Sequence, residues 1–317
     1  MKVSVLVPVY GVENYIGQCA ESLFSQSFQD IEYIFVDDST PDRSIEVLLE
    51  VLSRHPSRQP QVRIIRQDRN RGLGAARLKA LQNATSEYVM HVDSDDDLPI
   101  DAVEKLYQRI TETGADVEDG GYAETCNGEV IRTFMPAKMG KERYLKRMLC
   151  QNIVSNRIWG RIYRRSLFTE NQVFPVEGID YSEDFCVVPR LLLHAQRAWI
   201  DDVVYLYRND NSGSYTHQRS EKNMLSMFRA QALVNEHFQN NDPEGIYSTA
   251  LQIGTVNAYR EAVRNGAPLA RADEVIGYVP RGIMPRLCMA LLRSRCPMSL
   301  FNIVYLAWRR LYVWFLK

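Results

Sequence analysis

None of the six cysteines (Cys19, Cys126, Cys150, Cys186, Cys288, Cys296) stands in a CxxC pair, and their spacings form no even framework. This argues against a zinc ribbon or a disulfide scaffold and points to a reducing compartment. No run of about 18 uninterrupted apolar residues occurs, so a membrane-spanning helix is not expected. A secretory leader is not expected either, because Lys2 is followed by only a short apolar run broken by Pro8. Internal repeats and low-complexity segments are missing. The most uneven scarcity is of acid. After Glu274 there is no Asp or Glu, while seven basic residues follow: Arg281, Arg286, Arg293, Arg295, Arg309, Arg310 and Lys317. The last 43 residues therefore carry +7, and residues 1–274, with 31 basic and 39 acidic side chains, carry −8. An acidic body with a basic, aromatic tail suits a surface that meets something anionic. Nucleic acid fits poorly, since the tail's cations sit among Trp308, Tyr312 and Trp314.

Acid is concentrated instead in Val92-Asp93-Ser94-Asp95-Asp96-Asp97, four carboxylates in five positions. The preceding run, 87–92, is short and apolar and reads as a buried strand. Alternation along a strand would point Asp93 and Asp95 one way and Ser94 the other. Carboxylates this close repel one another unless a cation neutralises them. Hard oxygen ligands suit Mg²⁺ or Mn²⁺, held through one or two carboxylates and the phosphates of a substrate. The plainer reading is a solvated acidic turn, with Asp97 capping a helix that opens near Pro99.

Apolar runs at 3–9, 31–36, 62–65 and 87–92 are expected as strands. Helices are expected at about 13–25, 41–53, 75–83 and 100–113. This alternation predicts parallel βαβ units, whose ligands sit at the carboxyl ends of the strands. Tyr10, Asp37-Asp38 and Asp93-Asp95 all fall at such ends. The middle of the chain is less regular. Two weak strands flank Asn127-Gly128, a helix covers 141–150, and 156–168 has no clean period. A helix opens at Tyr181-Ser182-Glu183-Asp184, and two short strands, 198–200 and 203–207, are split by Asp201-Asp202. From about 220 the pattern is helical. His91 reads as a core residue, and Trp159 as either core packing or a sugar-stacking platform.

Several of these segments together resemble a known family. VSVLVPVYGVENYIGQCAESLFSQ, IEYIFVDDST, NRGLGAAR and VDSDDD look like a family-2 glycosyltransferase of the GT-A fold. NRIWGRIYRRSLF, YSEDFCVVPRLL and VVYLYRNDNSGSYT look like the bacterial polysaccharide branch of that family. The resemblance covers residues 2–217, about two thirds of the chain. It implies an α/β, Rossmann-like GT-A domain with a mainly parallel sheet; the tail beyond 217 has no comparable signature, and the residue pattern itself places the boundary near 215, with the domain at 1–215 and a helical region at 216–317. Pro8, Val9 and Tyr10 would line the base pocket, and Asp38 would accept from the base or reach the ribose. Asn70, Gly72 and Arg77 match the family's NxGxxxAR segment, with Arg77 meeting base or phosphate. Asp93 would hold the ribose, with Ser94 beside it in the donor site. Asp95 would ligate Mn²⁺ or Mg²⁺ on the diphosphate, with His217 a further candidate ligand. Asp184 matches the family's catalytic base and Glu183 would assist it, although the same pair also suits a helix N-terminus electrostatically. Arg208 is a candidate for phosphate or acceptor contact. Gly11 stands where the family often has Asn, and Ser39-Thr40 replaces the common Gly-Ser.

The activity so implied is inverting transfer of a sugar from a nucleotide donor, UDP-linked by expectation, to a saccharide or lipid-linked acceptor in cell-surface polysaccharide synthesis. A sugar nucleotidyltransferase is the alternative enzyme, but it would want a Gly-rich, Arg-bearing phosphate loop after the first strand, where this chain has Tyr10-Gly-Val-Glu-Asn-Tyr15. A non-catalytic, membrane-associated accessory protein is the third reading. The tail from about 281 is too interrupted by Arg309-Arg310 to span a bilayer and suits an interfacial helix. The expected place of work is cytoplasmic, peripheral on the inner face of the cell membrane; the competing reading of the tail is a subunit interface.

Overall fold

A computed structural model of the chain describes residues 1–150, 154–210, 220–294 and 296–316. Two compact units emerge, and they interleave along the chain rather than meeting at one cut. The first gathers the described parts of 1–138, 157–180 and 194–214, and the second those of 139–156, 181–193 and 215–317.

The first unit is built on an eight-stranded sheet. Strands β1 (Val3–Val9), β2 (Ile31–Asp37), β3 (Val62–Arg66) and β4 (Tyr88–His91) form its parallel half, in the order β3-β2-β1-β4. Both β1 and β2 are buried at all seven positions. That is why they read as continuous apolar runs rather than alternating ones. Three helices return the chain between these strands: α1 (Ile16–Phe24), α2 (Ser44–Ser53) and α3 (Leu73–Asn83). Helix α1 turns Ile16, Ala20, Leu23 and Phe24 inward at helical spacing. Each large apolar side chain of this kind stabilises the fold by about 1.5–3 kcal/mol on burial.

After helix α4 (Ala102–Thr113) come β5 (Val117–Cys126) and β6 (Glu129–Phe134), a hairpin through Asn127-Gly128 as expected. Helix α5 (Lys141–Leu149) belongs to the second unit. Strand β7 (Arg161–Arg164) then inserts antiparallel between β4 and β5, and the short α6 (Ser166–Glu170) follows it. Only four residues long, β7 gave no readable period.

After α7 (Glu183–His194), the two short strands expected near 200 are one strand, β8 (Arg197–Arg208), parallel to β5. The Asp201-Asp202 interruption is absorbed as a register shift opposite Gly120-Gly121. A β-carbon on Gly120 would collide with the Val204 side chain. The glycine lets β8 cross there, so the strand continues past two aspartates.

The second unit is helical. With α5 and α7 it comprises α8 (Glu221–Asn241), α9 (Ser248–Arg264), α10 (Leu269–Ile276), α11 (Ile283–Arg293) and α12 (Met298–Phe315). Its core joins Phe228, Ile253, Val256, Tyr259, Met289, Leu292, Phe301 and Tyr305. Among the described residues no helix is long and apolar enough to cross a membrane, and the six cysteines are free.

Candidate active site

The carboxyl edge of the parallel strands holds most of the expected residues. Strand β4 ends at His91, and Asp93–Asp96 is a turn closed by the Asp96 N–H on the Asp93 carbonyl at 3.1 Å. The strand expected to run to Val92 therefore stops earlier. Even so, Asp93 and Asp95 are partly exposed, while Ser94, Asp96 and Asp97 are buried. Asp97 does not cap α4, as the sequence suggested. Asp101 occupies that position, and Asp97 exchanges both backbone hydrogen bonds with Leu206 of β8.

The end of β8 holds this turn. The Tyr205 hydroxyl donates to Asp96 Oδ2 at 2.8 Å and accepts from the Asp93 N–H at 3.0 Å. The Arg208 N–H donates to Asp96 Oδ1 at 2.7 Å, and its Nε to the Asp95 carbonyl at 3.0 Å. Its Nη2 reaches Asp97 Oδ2 at 3.1 Å and Gln18 Oε1 at 2.7 Å, while Gln18 also donates to Asp97. Arg208, a candidate for phosphate contact from the sequence, is thus a brace of the acidic turn. Burial, then the charges of Asp95 and Asp93, pushes Asp96 well above the usual carboxylate range. Burial outweighs Arg208 and raises Asp97 to about 6. Two of the four carboxylates build the turn, and the other two are presented by it.

Arg77 is buried on α3 and pairs with Asp93 at 3.0 Å. Pro8 and Val9 are buried at the end of β1, and Tyr10 beyond them is 47% exposed. Asp38 is buried and accepts from Gln67 Nε2 (2.6 Å) and from the N–H groups of Arg71 and Gly72 (2.8 Å each). Burial raises its pKa despite these donors. Asn70 lies exposed just before them. Gly72 has φ 91°, a left-handed backbone that L side chains avoid, and a β-carbon there would strike the Asp180 carboxylate. Asp180 in turn accepts from the Gly74 N–H at 3.2 Å. The start of α3, a ready anion site in many α/β folds, is therefore already occupied by two carboxylates of the protein.

The loop after β1 is engaged likewise. The N–H groups of Gly11, Val12 and Glu13 donate to Thr40 Oγ1, Ser44 Oγ and Asp42 Oδ2 at 2.9–3.0 Å. A phosphate-cradling loop keeps such donors for its ligand. Here they tie the loop after β1 to the loop after β2, where Ser39 takes φ 55° directly after the Asp pair.

In the helical unit, Glu183 and Asp184 open α7 and are partly buried. Ser182 precedes them at φ 65°, a costly conformation for a side chain other than glycine. Its carbonyl accepts the Cys186 N–H at 2.9 Å. The Ser226 hydroxyl of α8 accepts from the Tyr181 N–H at 3.0 Å and donates to the Tyr181 carbonyl at 2.8 Å. The pair thus sits at a helix start directly after a segment braced by α8. His217 lies outside the described residues. His91 is buried beside Phe168 and kept neutral, first by burial and then by Arg77. Trp159 stacks on Tyr205 (4.3 Å) and Tyr207 (5.5 Å) and packs on the core of the first unit.

Among the described residues no three His, Cys, Asp or Glu side chains converge on a metal-sized point. The donor set fits an ion bound by one or two carboxylates and completed by substrate oxygens, the habit of Mg²⁺ and Mn²⁺, and does not fit an all-protein cage. Tyr205, Gln18, Gln67 and Asp180 were not singled out from the sequence. Their partners lie 29 to 109 residues away, and no local signal marks them. Two cavities, about 580 and 730 Å³, are lined by residues of the helical unit and hold none of the candidate residues.

Comparison with known proteins bears on the family and the fold. The glycosyltransferase EpsJ of Bacillus subtilis, itself uncharacterised, is 30% identical over 220 residues, 66% of this chain and 62% of its own. Glycosyltransferase GlyA of Streptococcus pneumoniae is 28% identical over 283 residues, 84% of this chain but 39% of its own. The chain thus spans about two fifths to three fifths of these relatives. The crystal structure of S. aureus TarS 1-349 superposes with TM-score 0.67 at 20% identity, covering 98% of this chain and 92% of that one. Mannosyltransferase PcManGT of Pyrobaculum calidifontis, solved with GDP-Man and Mn²⁺, gives TM-score 0.53 at 17% identity over 96% of this chain and 86% of that one. Both likenesses show the GT-A fold. The sequence model of glycosyl transferase family 2 matches residues 4–171, more than half of the chain, and the chain belongs to that family.

Proposed function

We propose that the chain is a metal-dependent, inverting glycosyltransferase. It moves a sugar from a UDP-linked donor to a saccharide or lipid-linked saccharide acceptor in cell-surface polysaccharide synthesis, on the inner face of the cell membrane. One observation carries the reading. The carboxyl edge presents two partly exposed carboxylates, Asp93 and Asp95, while the backbone donors that would greet a phosphate are engaged by protein side chains. Such an edge repels a diphosphate unless a cation comes with it. TarS has been crystallised with UDP and with UDP-GlcNAc, and a relative from Bacillus spizizenii, 31% identical over 217 residues and matched over 33% of its length, is named a poly(ribitol-phosphate) beta-glucosyltransferase. These support a UDP-sugar donor and a surface-polymer acceptor.

In this reading Asp95 is the principal protein ligand of Mn²⁺ or Mg²⁺, with His217 the proposed second. The ion supplies charge neutralisation at the departing diphosphate. Pro8, Val9 and Tyr10 wall the base, and Asp38 keeps a lone pair for a base or ribose donor beside its three protein contacts. Asn70 and Gly72 form the rim. Ser94 stays in the turn, where Asp93 holds the ribose. Arg77 acts by fixing Asp93, since its own guanidinium is buried. The acceptor oxygen attacks the anomeric carbon as the carbon–oxygen bond to the diphosphate breaks, and that electron pair leaves with the nucleoside diphosphate. The acceptor proton passes to Asp184, oriented by Glu183. A single in-line displacement inverts the anomeric centre.

The direct test is incubation with a panel of nucleotide sugars and acceptor glycans, with Mn²⁺, Mg²⁺ or chelator, reading released nucleoside diphosphate. Release from a UDP-sugar that needs the cation supports the reading. Equal release in chelator rejects the metal, and no release from any donor rejects the activity.

A further inference from the structure

The helical unit carries a surface that the transferase reading does not use. Of sixteen large hydrophobic side chains exposed among the described residues, eight follow residue 278. Helix α12 buries Phe301 and Tyr305 and leaves Leu300, Ile303, Leu311 and Trp314 outward. Spacings of 3, 8 and 3 put these four on one helical face. Arg310 is exposed at the edge of that stripe. Its neighbour Arg309 turns the other way, over the Tyr305 ring at 5.8 Å, and Trp308 and Tyr312 pack partly on the core. Helix α11 repeats the plan. It buries Cys288 and Met289 and leaves Ile283 (84% exposed) and Leu287 outward, with Arg286 and Arg293 exposed beside them.

We infer that the outward stripes of α11 and α12 are the contact of this chain with an anionic lipid surface. The inference deepens the membrane placement proposed above by assigning its face. A second copy of the chain is the weaker occupant. Arg286 and Arg310 rim these stripes, Arg293 being paired with Asp273 at 2.9 Å, and no acid follows Glu274, so self-association would set like charges together. An anionic headgroup layer complements the cations, and the acyl boundary takes up the Leu, Ile and Trp side chains. The face commits to lying on the bilayer, because neither helix is long and apolar enough to cross it. It also divides the tail's aromatics: Trp314 and Phe315 meet lipid, while Trp308 and Tyr312 hold the helix on its core.

The test is flotation of the purified full chain with vesicles of phosphatidylglycerol and phosphatidylcholine, against phosphatidylcholine alone. Binding to the anionic vesicles, weakened by salt, is expected. The double substitution Leu311→Glu, Trp314→Glu should cut partitioning about tenfold or more with unchanged melting temperature and unchanged release of nucleoside diphosphate in solution. Arg286→Gln with Arg310→Gln should remove the preference for anionic lipid and gives a second variant that keeps the apolar stripe. Equal flotation of parent and double variant overturns the inference, as does no flotation of the parent. A concentration-dependent dimer in light scattering that Leu311→Glu, Trp314→Glu abolishes overturns it in favour of a second copy. Flotation that holds while no donor is cleaved leaves the lipid face standing and removes the transferase reading instead.

Discussion

The two units treat charge in opposite ways. In the sheet unit, charged side chains near the carboxyl edge and along β5 are bound to each other. Asp96 and Asp97 are held by Tyr205, Arg208 and Gln18, and Asp38 by Gln67 and the start of α3. Asp119 is buried among Arg157, Arg161 and Arg197, which hold its carboxyl far below the usual range against the opposing effect of burial. In the helical unit beyond Glu274, cations such as Arg281, Arg286 and Arg310 face solvent beside exposed apolar side chains. Charge turned inward fixes a geometry to within a hydrogen bond. Charge turned outward, with no partner of opposite sign in the same stretch of chain, fits something that is not part of the chain.

That contrast breaks most clearly at Asp95. Asp95→Ala should lower transfer by about 10²–10³-fold or more, the scale of a lost electrostatic stabiliser, and remove cation-dependent UDP binding, with the circular dichroism spectrum kept. Calorimetry with UDP and Mn²⁺ checks it; an unfolded variant would mean that Asp95 builds the turn as Asp96 and Asp97 do. Next is the residue that would make the helical unit catalytic. Asp184→Asn should keep UDP affinity and lose about 10²-fold or more in kcat, and normal turnover with weakened UDP binding would move the base elsewhere. Tyr205→Phe keeps the ring on Trp159 but deletes two hydrogen bonds to the turn. A fall of about tenfold in kcat, from a ligand misplaced rather than lost, and about 1–3 kcal/mol in stability are expected, read by steady-state rates and denaturant melts. The smallest effect is expected at Glu118, buried next to Asp119 and pushed up by burial to about 7 from its ordinary 4.5. Because the folded state holds this proton more tightly than the unfolded chain, stability contributed by the neutral form is full below about 4.5 and falls as pH rises through 7. Glu118→Gln should remove that decline and add about 1–3 kcal/mol at pH 8. Melts across pH 5–8 that run parallel for both proteins would place the titration at another group.

What the sequence disclosed follows from how local each signal is. Strands β1 and β2 were legible because burial on both faces leaves no polar position in the run. The hairpin at Asn127-Gly128 was legible from its turn residues, and the position of Asp93 and Asp95 at the end of β4 from the apolar run that precedes them. Strand β8 read as two pieces, because Asp201-Asp202 is polar and the accommodating Gly120-Gly121 lies some eighty residues earlier. Asp97 read as a helix cap because its partners, Leu206 and Arg208, are more than a hundred residues away. The tail was legible as amphipathic and basic, but which of Trp308 and Trp314 faces inward depends on packing against α8, α9 and α11, which no local period encodes.

The clamp on the acidic turn also has a consequence for how the protein is made. Strands β1 to β4 join segments within the first ninety or so residues, and such early, compact pairings form while the chain is still emerging from the ribosome. The turn that follows β4 does not share that head start. Gln18 and Arg77 are made before it, but the contacts that hold Asp96 and the Asp95 carbonyl arrive with Tyr205 and Arg208, after a sequence separation of 109 to 113 residues. Contacts of that order form late, since the intervening chain must be closed before they contribute. A nascent chain of about 200 residues therefore carries VDSDDD with Arg77 in place for Asp93 but with Asp96 and Asp97 still lacking Tyr205 and Arg208. Donor-binding geometry is then among the last things this fold acquires, and a ribosome-stalled chain ending before residue 205 should show the protected amides of β1 and β2 with an Asp93–Asp96 turn still exchanging freely.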